Sequence, residues 1–291
     1  MPRLVVSVVC AVIVRASALL AESTTERFWR QVDVALIGPG LDRVRDFARA
    51  HLDHLSGDDR GRRSGLAPGQ ECDVPFPGLC ARPWHPTEDE QFKWAASLEE
   101  HWRAPRTELS EFLGRGGGAE AAWATPRTAL CPDTADFAKL VLLEDGSRPT
   151  RTVTQVGHDH FSRTISRLLR SGCPLGPRPV SINRQPAGSG LEPHTDNANF
   201  LLTGHLGLVV PPPNAGRCEF VMTGGGAASS ARRWREGRVL VSDTSFVHAT
   251  RNDADSDRFV LHFTIWHPGL STAERAGIVR FHEALRAFEA G

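Results

Sequence analysis

The chain has no charge bias: 34 Lys and Arg residues balance 34 Asp and Glu residues, so no global field favours nucleic acid or an anionic membrane. Lysine is nearly missing, with Lys93 and Lys139 alone, and the short arginine clusters such as Arg62-Arg63 and Arg232-Arg233 read as solvated surface. There is no Cys-x-x-Cys pair, which removes the usual structural zinc motifs. Internal repeats are absent, which argues against a solenoid. No apolar run is long enough to span a bilayer comfortably, because the run over 4–14 is interrupted by Arg15.

What is present fits a soluble globular protein. The 291 residues, 40% hydrophobic and 23% charged, suffice for one large domain or a domain with a helical appendage. Arg3, the apolar residues 4–14 and the small residues Ala16-Ser17-Ala18 and Ala21 follow the order of a secretory signal. Residues 1–21 are therefore expected to be a signal peptide, leaving no stable membrane span and directing the protein to the secretory pathway, in the ER or Golgi lumen or outside the cell. A signal anchor or organelle-targeting segment also fits that pattern. Cys10 would leave with the signal, and an odd five cysteines would remain. Cys72 and Cys80 are close enough in sequence for a loop disulfide.

Residues 22–70 read as a helical N-terminal region and linker. Leu41, Val44, Phe47, Ala48, Leu52 and Leu55 recur at helical spacing, and Gly38-Pro39-Gly40 separates this helix from one before it. Prolines force an extended path after Cys72. One helix is expected over 89–113 and another over 161–170. From Val180 the periodicity changes, and short strands are expected over 201–210, 218–222, 239–242 and 259–266. Ser271 and Glu274 form a capping-box pattern ahead of the apolar face Ile278, Phe281, Leu285 and Phe288. The expectation is a mainly β chain with flanking helices: a domain over 71–291 whose core, about 180–268, is a jelly roll.

His194 and Asp196 stand two apart in Glu192-Pro193-His194-Thr195-Asp196-Asn197. On extended chain they point to one side, so one metal can take both. Two histidines and a carboxylate on one face of a metal characterise non-haem Fe(II) oxygenases. His248, after the strand ending near Ser242, can supply the third ligand. His51-Leu52-Asp53 repeats the motif inside a helix, where the two side chains diverge. His158-Asp159-His160, on a polar loop, is a weaker candidate metal set. Arg258 opens the last strand, where alternation puts Arg258, Val260, His262, Thr264 and Trp266 on one face and Phe259, Leu261, Phe263 and Ile265 on the other. If the first face looks inward, Arg258 demands an anion, either a bound carboxylate or a neighbouring Asp in a structural salt bridge.

These segments resemble the aspartyl/asparaginyl β-hydroxylases. The resemblance is carried by Pro193-His194-Thr195-Asp196, His205-Leu206-Gly207-Leu208-Val209-Val210-Pro211 and Trp234-Arg235-Glu236-Gly237-Arg238-Val239-Leu240. Asp243-Thr244-Ser245-Phe246-Val247-His248, Arg258 and Trp266-His267-Pro268 complete it. It implies a double-stranded β-helix (jelly-roll, cupin-like) core and an Fe(II)- and 2-oxoglutarate-dependent dioxygenase using O2. By resemblance His194 and His248 hold iron, Arg258 binds the 2-oxoglutarate C5 carboxylate, and His205 lies beside the cosubstrate. Asn183 or Arg184 occupies the position of a further cosubstrate contact. The best-known animal members have glycine where this chain has Asp196, so Asp196 completes a full triad or supports it from the side. The implied substrate is an Asp or Asn side chain of a protein or peptide; a lipid acyl chain or a small amino acid is the alternative within the family. Outside it stand a non-catalytic jelly-roll binding protein and a zinc hydrolase. A Gly-rich insertion over 224–230 reads as a surface loop.

Overall fold

The structure, a computed structural model, describes residues 22–57, 66–116, 120–124, 137–144, 151–222 and 230–290. The signal-like segment, Cys10, Cys131 and most of the Gly-rich insertion lie outside the described residues. Among the described residues, ten strands form two antiparallel sheets. The larger has the order β1 (Trp84–His85), β8 (Val239–Ser242), β5 (Leu201–Val209), β10 (Arg258–Trp266), β3 (Val180–Gln185), β2 (Ala138–Leu143). The smaller has the order β4 (Ser189–His194), β9 (His248–Asn252), β6 (Cys218–Met222), β7 (Ser230–Arg233). From β3 to β10 the chain alternates between the sheets except at the β6–β7 hairpin, which stays within the smaller one, and this is the expected double-stranded β-helix.

Alternation along β10 separates two cores. Phe259, Leu261, Phe263 and Ile265 face outward and pack with side chains from α3 (Trp94–Glu100), α4 (Arg103–Leu113) and α6 (Ser162–Arg170). Val260 faces inward and meets Cys218, Phe220, Met222, Trp234 and Phe246 between the sheets. A third cluster joins α1 (Glu22–Ala35), α2 (Asp42–Leu55) and the C-terminal α7 (Thr272–Ala290) to Phe76, Phe200 and Trp266. The N-terminal helices thus share a core with the end of β10.

Local chemistry explains the boundaries. Gly38 and Gly40 take positive φ between α1 and α2, a conformation glycine adopts without a Cβ clash. The helix expected over 89–113 is broken into a 3-10 turn, α3 and α4. Pro105 cannot donate to the carbonyl of His101, so the chain restarts with proline in the first turn of α4. His158-Asp159-His160, expected on a loop, end a short helix, α5 (Gln155–His160), capped by Thr154, whose Oγ1 accepts from the Gly157 N–H at 3.0 Å. The expected Cys72–Cys80 pairing is not made: Cys72 is a buried free thiol and Cys80 an exposed one. The segment between them is committed elsewhere, the Phe76 N–H donating to Asn199 Oδ1 at 2.8 Å and Asn199 Nδ2 donating to the Phe76 carbonyl at 3.0 Å.

The capping box of α7 forms as expected: Glu274 accepts from the Ser271 N–H at 2.8 Å, and the Glu274 N–H donates to Ser271 Oγ at 3.2 Å. Arg43 of α2 adds a two-pronged pair with Glu274 at 2.7 and 2.8 Å, tying the two helices together. In urea unfolding, Ser271→Ala is expected to lower stability by about 1 kcal/mol, whereas Phe281→Ala, emptying a fully buried site, costs about 3–5 kcal/mol. Equal effects would show that packing does not dominate this helix.

Candidate metal and anion site between the two sheets

His194 ends β4 and His248 begins β9, and the two stand opposite each other in register. A register shift between Leu191 and His194 re-aims the end of this edge strand, where Pro193 is tolerated. Asp196 follows in the loop, its N–H donating to the Thr244 carbonyl at 2.8 Å. Asn197 then takes φ 56°, the one non-glycine at positive φ among the described residues, and its side chain is paired with both the backbone and carboxylate of Asp73. These constraints bring one ligand atom from each of His194, Asp196 and His248 to within 4.8 Å of one another. The two imidazole centroids are 4.3 Å apart.

Protonation suits a cation. Nδ1 of His194 lies 2.7 Å from the Glu192 carbonyl and Nδ1 of His248 lies 2.9 Å from the Phe246 carbonyl. A carbonyl only accepts, so each Nδ1 carries the hydrogen and each Nε2 keeps its lone pair. Burial pushes His248 down to about 4, with Asp196 opposing and His194 adding to the shift. Burial alone would raise the Asp196 carboxyl, but Arg178, then His248 and His194, hold it well below the carboxylate range. Arg178 Nη1 stands 3.6 Å from Asp196 Oδ2, and Nη2 donates to the Asp196 carbonyl at 2.8 Å. Two imidazoles whose Nδ1 atoms face backbone carbonyls and whose Nε2 atoms point away from them, with one carboxylate, form a donor set that fits a divalent metal and leaves room in its coordination sphere.

Arg258 is buried between the sheets at 2% exposure. Its Cζ sits 4.0 Å from the centroid of the Trp234 ring, and neither Nε nor Nη1 has a hydrogen-bond partner among the described residues. The adjacent Asp257 does not neutralise it: Asp257 Oδ2 accepts from Arg184 Nε at 2.7 Å. Burial lowers Arg258 to about 10, against the pull of Cys218, so it stays cationic at neutral pH. Two unsatisfied N–H groups on a buried cation fit a carboxylate.

His205 lies across from His262 in the β5–β10 register, their centroids 5.2 Å apart. Burial pushes it well below its ordinary value, with His262 and Arg258 adding to the shift. Asn183, opposite Val260, shares this inner face and accepts from Ser181 Oγ at 2.7 Å. Arg184 is one residue along and therefore on the other face, where it pairs with Asp257 and with Glu120 at 3.5 Å. Of the two alternatives at this position, the structure brings Asn183 to the inner face and not Arg184. Asp243 supports the turn before β9, accepting from the Ser245 N–H at 3.0 Å and from Gln70 at 3.2 Å. His51 and Asp53 stay on α2, and His158 pairs with Asp159 on α5; among the described residues neither set joins the three converging ligand atoms.

Two residues that line the site were given no role by the sequence. Phe220 touches both His248 and His205, with centroids 5.3 and 5.6 Å apart. Trp234 covers Arg258. The available signal was the period-2 pattern of β6, which turns Cys218, Phe220 and Met222 inward.

A family model described as aspartyl/asparaginyl β-hydroxylase matches residues 99–268. The mouse aspartyl/asparaginyl β-hydroxylase is 29% identical over 208 residues, covering 69% of this chain and 25% of the relative; the human protein is 29% identical over 204 residues with the same coverage. Human aspartate β-hydroxylase domain-containing protein 2 is 33% identical over 94 residues, 31% of this chain and 23% of its own length. The chain thus spans about a quarter of the length of these curated relatives. A solved prolyl hydroxylase from Trichoplax adhaerens shares 12% identity over 64% of this chain and 93% of that one, with a TM-score of 0.41, too low a likeness to add to the fold described above.

Burial also holds other histidines neutral: His51 and His85 at about 4, His262 and His282 at about 3. The unfolded chain binds protons on these groups below 6.5 while the folded chain does not, so stability is complete above 6.5 and lost as the pH falls toward 4. Asp243, raised to about 6 by burial, works in the opposite direction but is one carboxyl against several imidazoles. The urea midpoint of the metal-free protein is expected to decline steadily over that window, and a constant midpoint would contradict the assignment of neutral buried rings.

Proposed function

This chain belongs to the aspartyl/asparaginyl β-hydroxylase family, and on that premise we propose that it is an Fe(II)- and 2-oxoglutarate-dependent dioxygenase that hydroxylates Asp or Asn side chains of a protein or peptide. The observation that carries the reading is the unpartnered Arg258 cation in the same intersheet space as the His194–Asp196–His248 cluster. A zinc hydrolase would leave Arg258 without a purpose. A non-catalytic relative would have no need of all three ligands and the anchor together.

His194 and His248 would hold iron through Nε2, and Asp196 through its carboxylate. Bound iron supplies O2 activation coupled to oxidative decarboxylation of 2-oxoglutarate to succinate and CO2. Arg258 would receive the distal carboxylate of 2-oxoglutarate on Nε and Nη1, and His205 would donate to a carboxylate oxygen. Phe220, Trp234 and Val260 exclude water from this anchor, which strengthens each charged hydrogen bond. Asn183 extends the polar inner face. Arg184 supports the outside of β3 through its acidic partners. Residues 71–291 would form the oxygenase domain, packed on the helices of 22–70. Arg3 and the apolar residues 4–14 support a signal peptide over 1–21 and a place in the secretory pathway.

The substrate class is tested by supplying iron, 2-oxoglutarate and O2 with peptides containing Asp or Asn, and following succinate together with gain of one oxygen atom on the peptide. Turnover on lipid acyl chains or free amino acids in place of peptides would overturn the peptide assignment. Arg258→Ala is expected to weaken 2-oxoglutarate binding by roughly a hundredfold, within the about 2–5 kcal/mol of a truncated buried charge pair, while Fe(II) affinity holds. Equal loss of both would make Arg258 a structural residue.

A further inference from the structure

We infer that Trp234 is the positioning residue of the cosubstrate pocket, one indole fixing both which nitrogen of His205 carries the proton and how the Arg258 fork is presented. The inference rests on the oxygenase reading above. Four imidazoles, His194, His205, His248 and His262, crowd the intersheet space, and their chemistry there depends on where each ring carries its hydrogen. Backbone carbonyls settle the matter for His194 and His248, leaving Nε2 of each as a metal ligand.

His205 is set the opposite way. Its Nδ1 receives the Trp234 Nε1–H at 3.1 Å. An indole nitrogen only donates, so Nδ1 must be the acceptor and the hydrogen of the neutral ring resides on Nε2. In that form His205 can donate to a carboxylate oxygen and cannot offer Nε2 to a metal. The indole therefore separates a cosubstrate-binding histidine from the metal-binding pair within one cluster. The face of the same indole lies under the Arg258 guanidinium at 4.0 Å, a cation–π contact that orients the fork without consuming the Nε and Nη1 hydrogens.

The surroundings hold Trp234 firmly. It is buried at 3% exposure and stacked on Phe220 at 5.8 Å with an interplanar angle of 11°. The turn that follows it docks on β5: the Gly237 N–H donates to the Gly207 carbonyl at 2.9 Å, and the Gly207 N–H to the Arg238 carbonyl at 3.1 Å. A Cβ at Gly207 would lie 2.3 Å from the Arg235 carbonyl oxygen, so glycine there permits the approach that sets the indole over His205 two residues away.

Trp234→Phe keeps a smaller aromatic face and loses the N–H, whereas Trp234→Leu removes both contacts. The test combines heteronuclear NMR of the histidine ring nitrogens with equilibrium binding of 2-oxoglutarate and of Fe(II). In the unaltered protein the His205 hydrogen is expected on Nε2. In Trp234→Phe it should redistribute between the two nitrogens, with 2-oxoglutarate affinity about tenfold weaker and Fe(II) affinity unchanged; Trp234→Leu should weaken 2-oxoglutarate about a hundredfold. A hydrogen on Nδ1 in the unaltered protein would overturn the inference even if neither variant folded. So would a Trp234→Phe protein with unchanged tautomer and affinity, or one that loses iron and 2-oxoglutarate together. Failure of the unaltered, iron-loaded protein to bind 2-oxoglutarate, with the His205 hydrogen on Nε2, would instead overturn the oxygenase reading.

Discussion

The charge on Arg258, enclosed between two sheets, constrains everything around it. A buried guanidinium without an anion is costly, because the interior repays little of its lost hydration. The nearest acid in sequence, Asp257, is held on the outside of the sheet by Arg184, and strand alternation keeps it there. The fold relieves part of the penalty with the π-face of Trp234 and leaves two N–H groups free. A ligand with a carboxylate completes what the protein omits.

At the other end of the same space the sign reverses. Asp196 stays ionised with Arg178 at its flank, while His248 is neutral, so a cation finds one negative charge and two lone pairs. His205 and Phe220 lie between the two ends. The space is thus polarised along its length: a cationic anchor at the start of β10, and an anionic, lone-pair-bearing cluster where β4 and β9 meet. A metal ion and a dicarboxylate would satisfy both ends together. Either sheet alone carries half of this arrangement, and only their face-to-face packing assembles it.

The legible parts of the chain were those where burial is one-sided. The outward face of β10, the buried stripe of α2 and the capping box of α7 have simple periods, and each forms as its pattern predicts. Strands β4 and β9 escaped notice because their inner positions carry His194, His248, Thr250 and Asn252 where apolar residues would mark a strand. Chemistry displaced the hydrophobic signal at the positions that matter most to function. The convergence of His194, Asp196 and His248 was readable from the His-x-Asp spacing together with a distant histidine. The choice between Asn183 and Arg184 was not, because a one-residue difference in facing depends on the register of β3 against β10. The role of Trp234 was hidden for a similar reason, since its contacts arise from a turn docking on a glycine from which β6 and β7 separate it in sequence.

The most direct test of the central claim, that the cluster and Arg258 form one site for iron and 2-oxoglutarate, is anaerobic absorption spectroscopy of the purified protein during titration with Fe(II) and then 2-oxoglutarate. The account predicts a visible charge-transfer band that appears only when both are present and is absent from His248→Ala. A well-folded, iron-loaded protein that shows no such band would contradict it, and a jelly-roll binding protein would then be the better description.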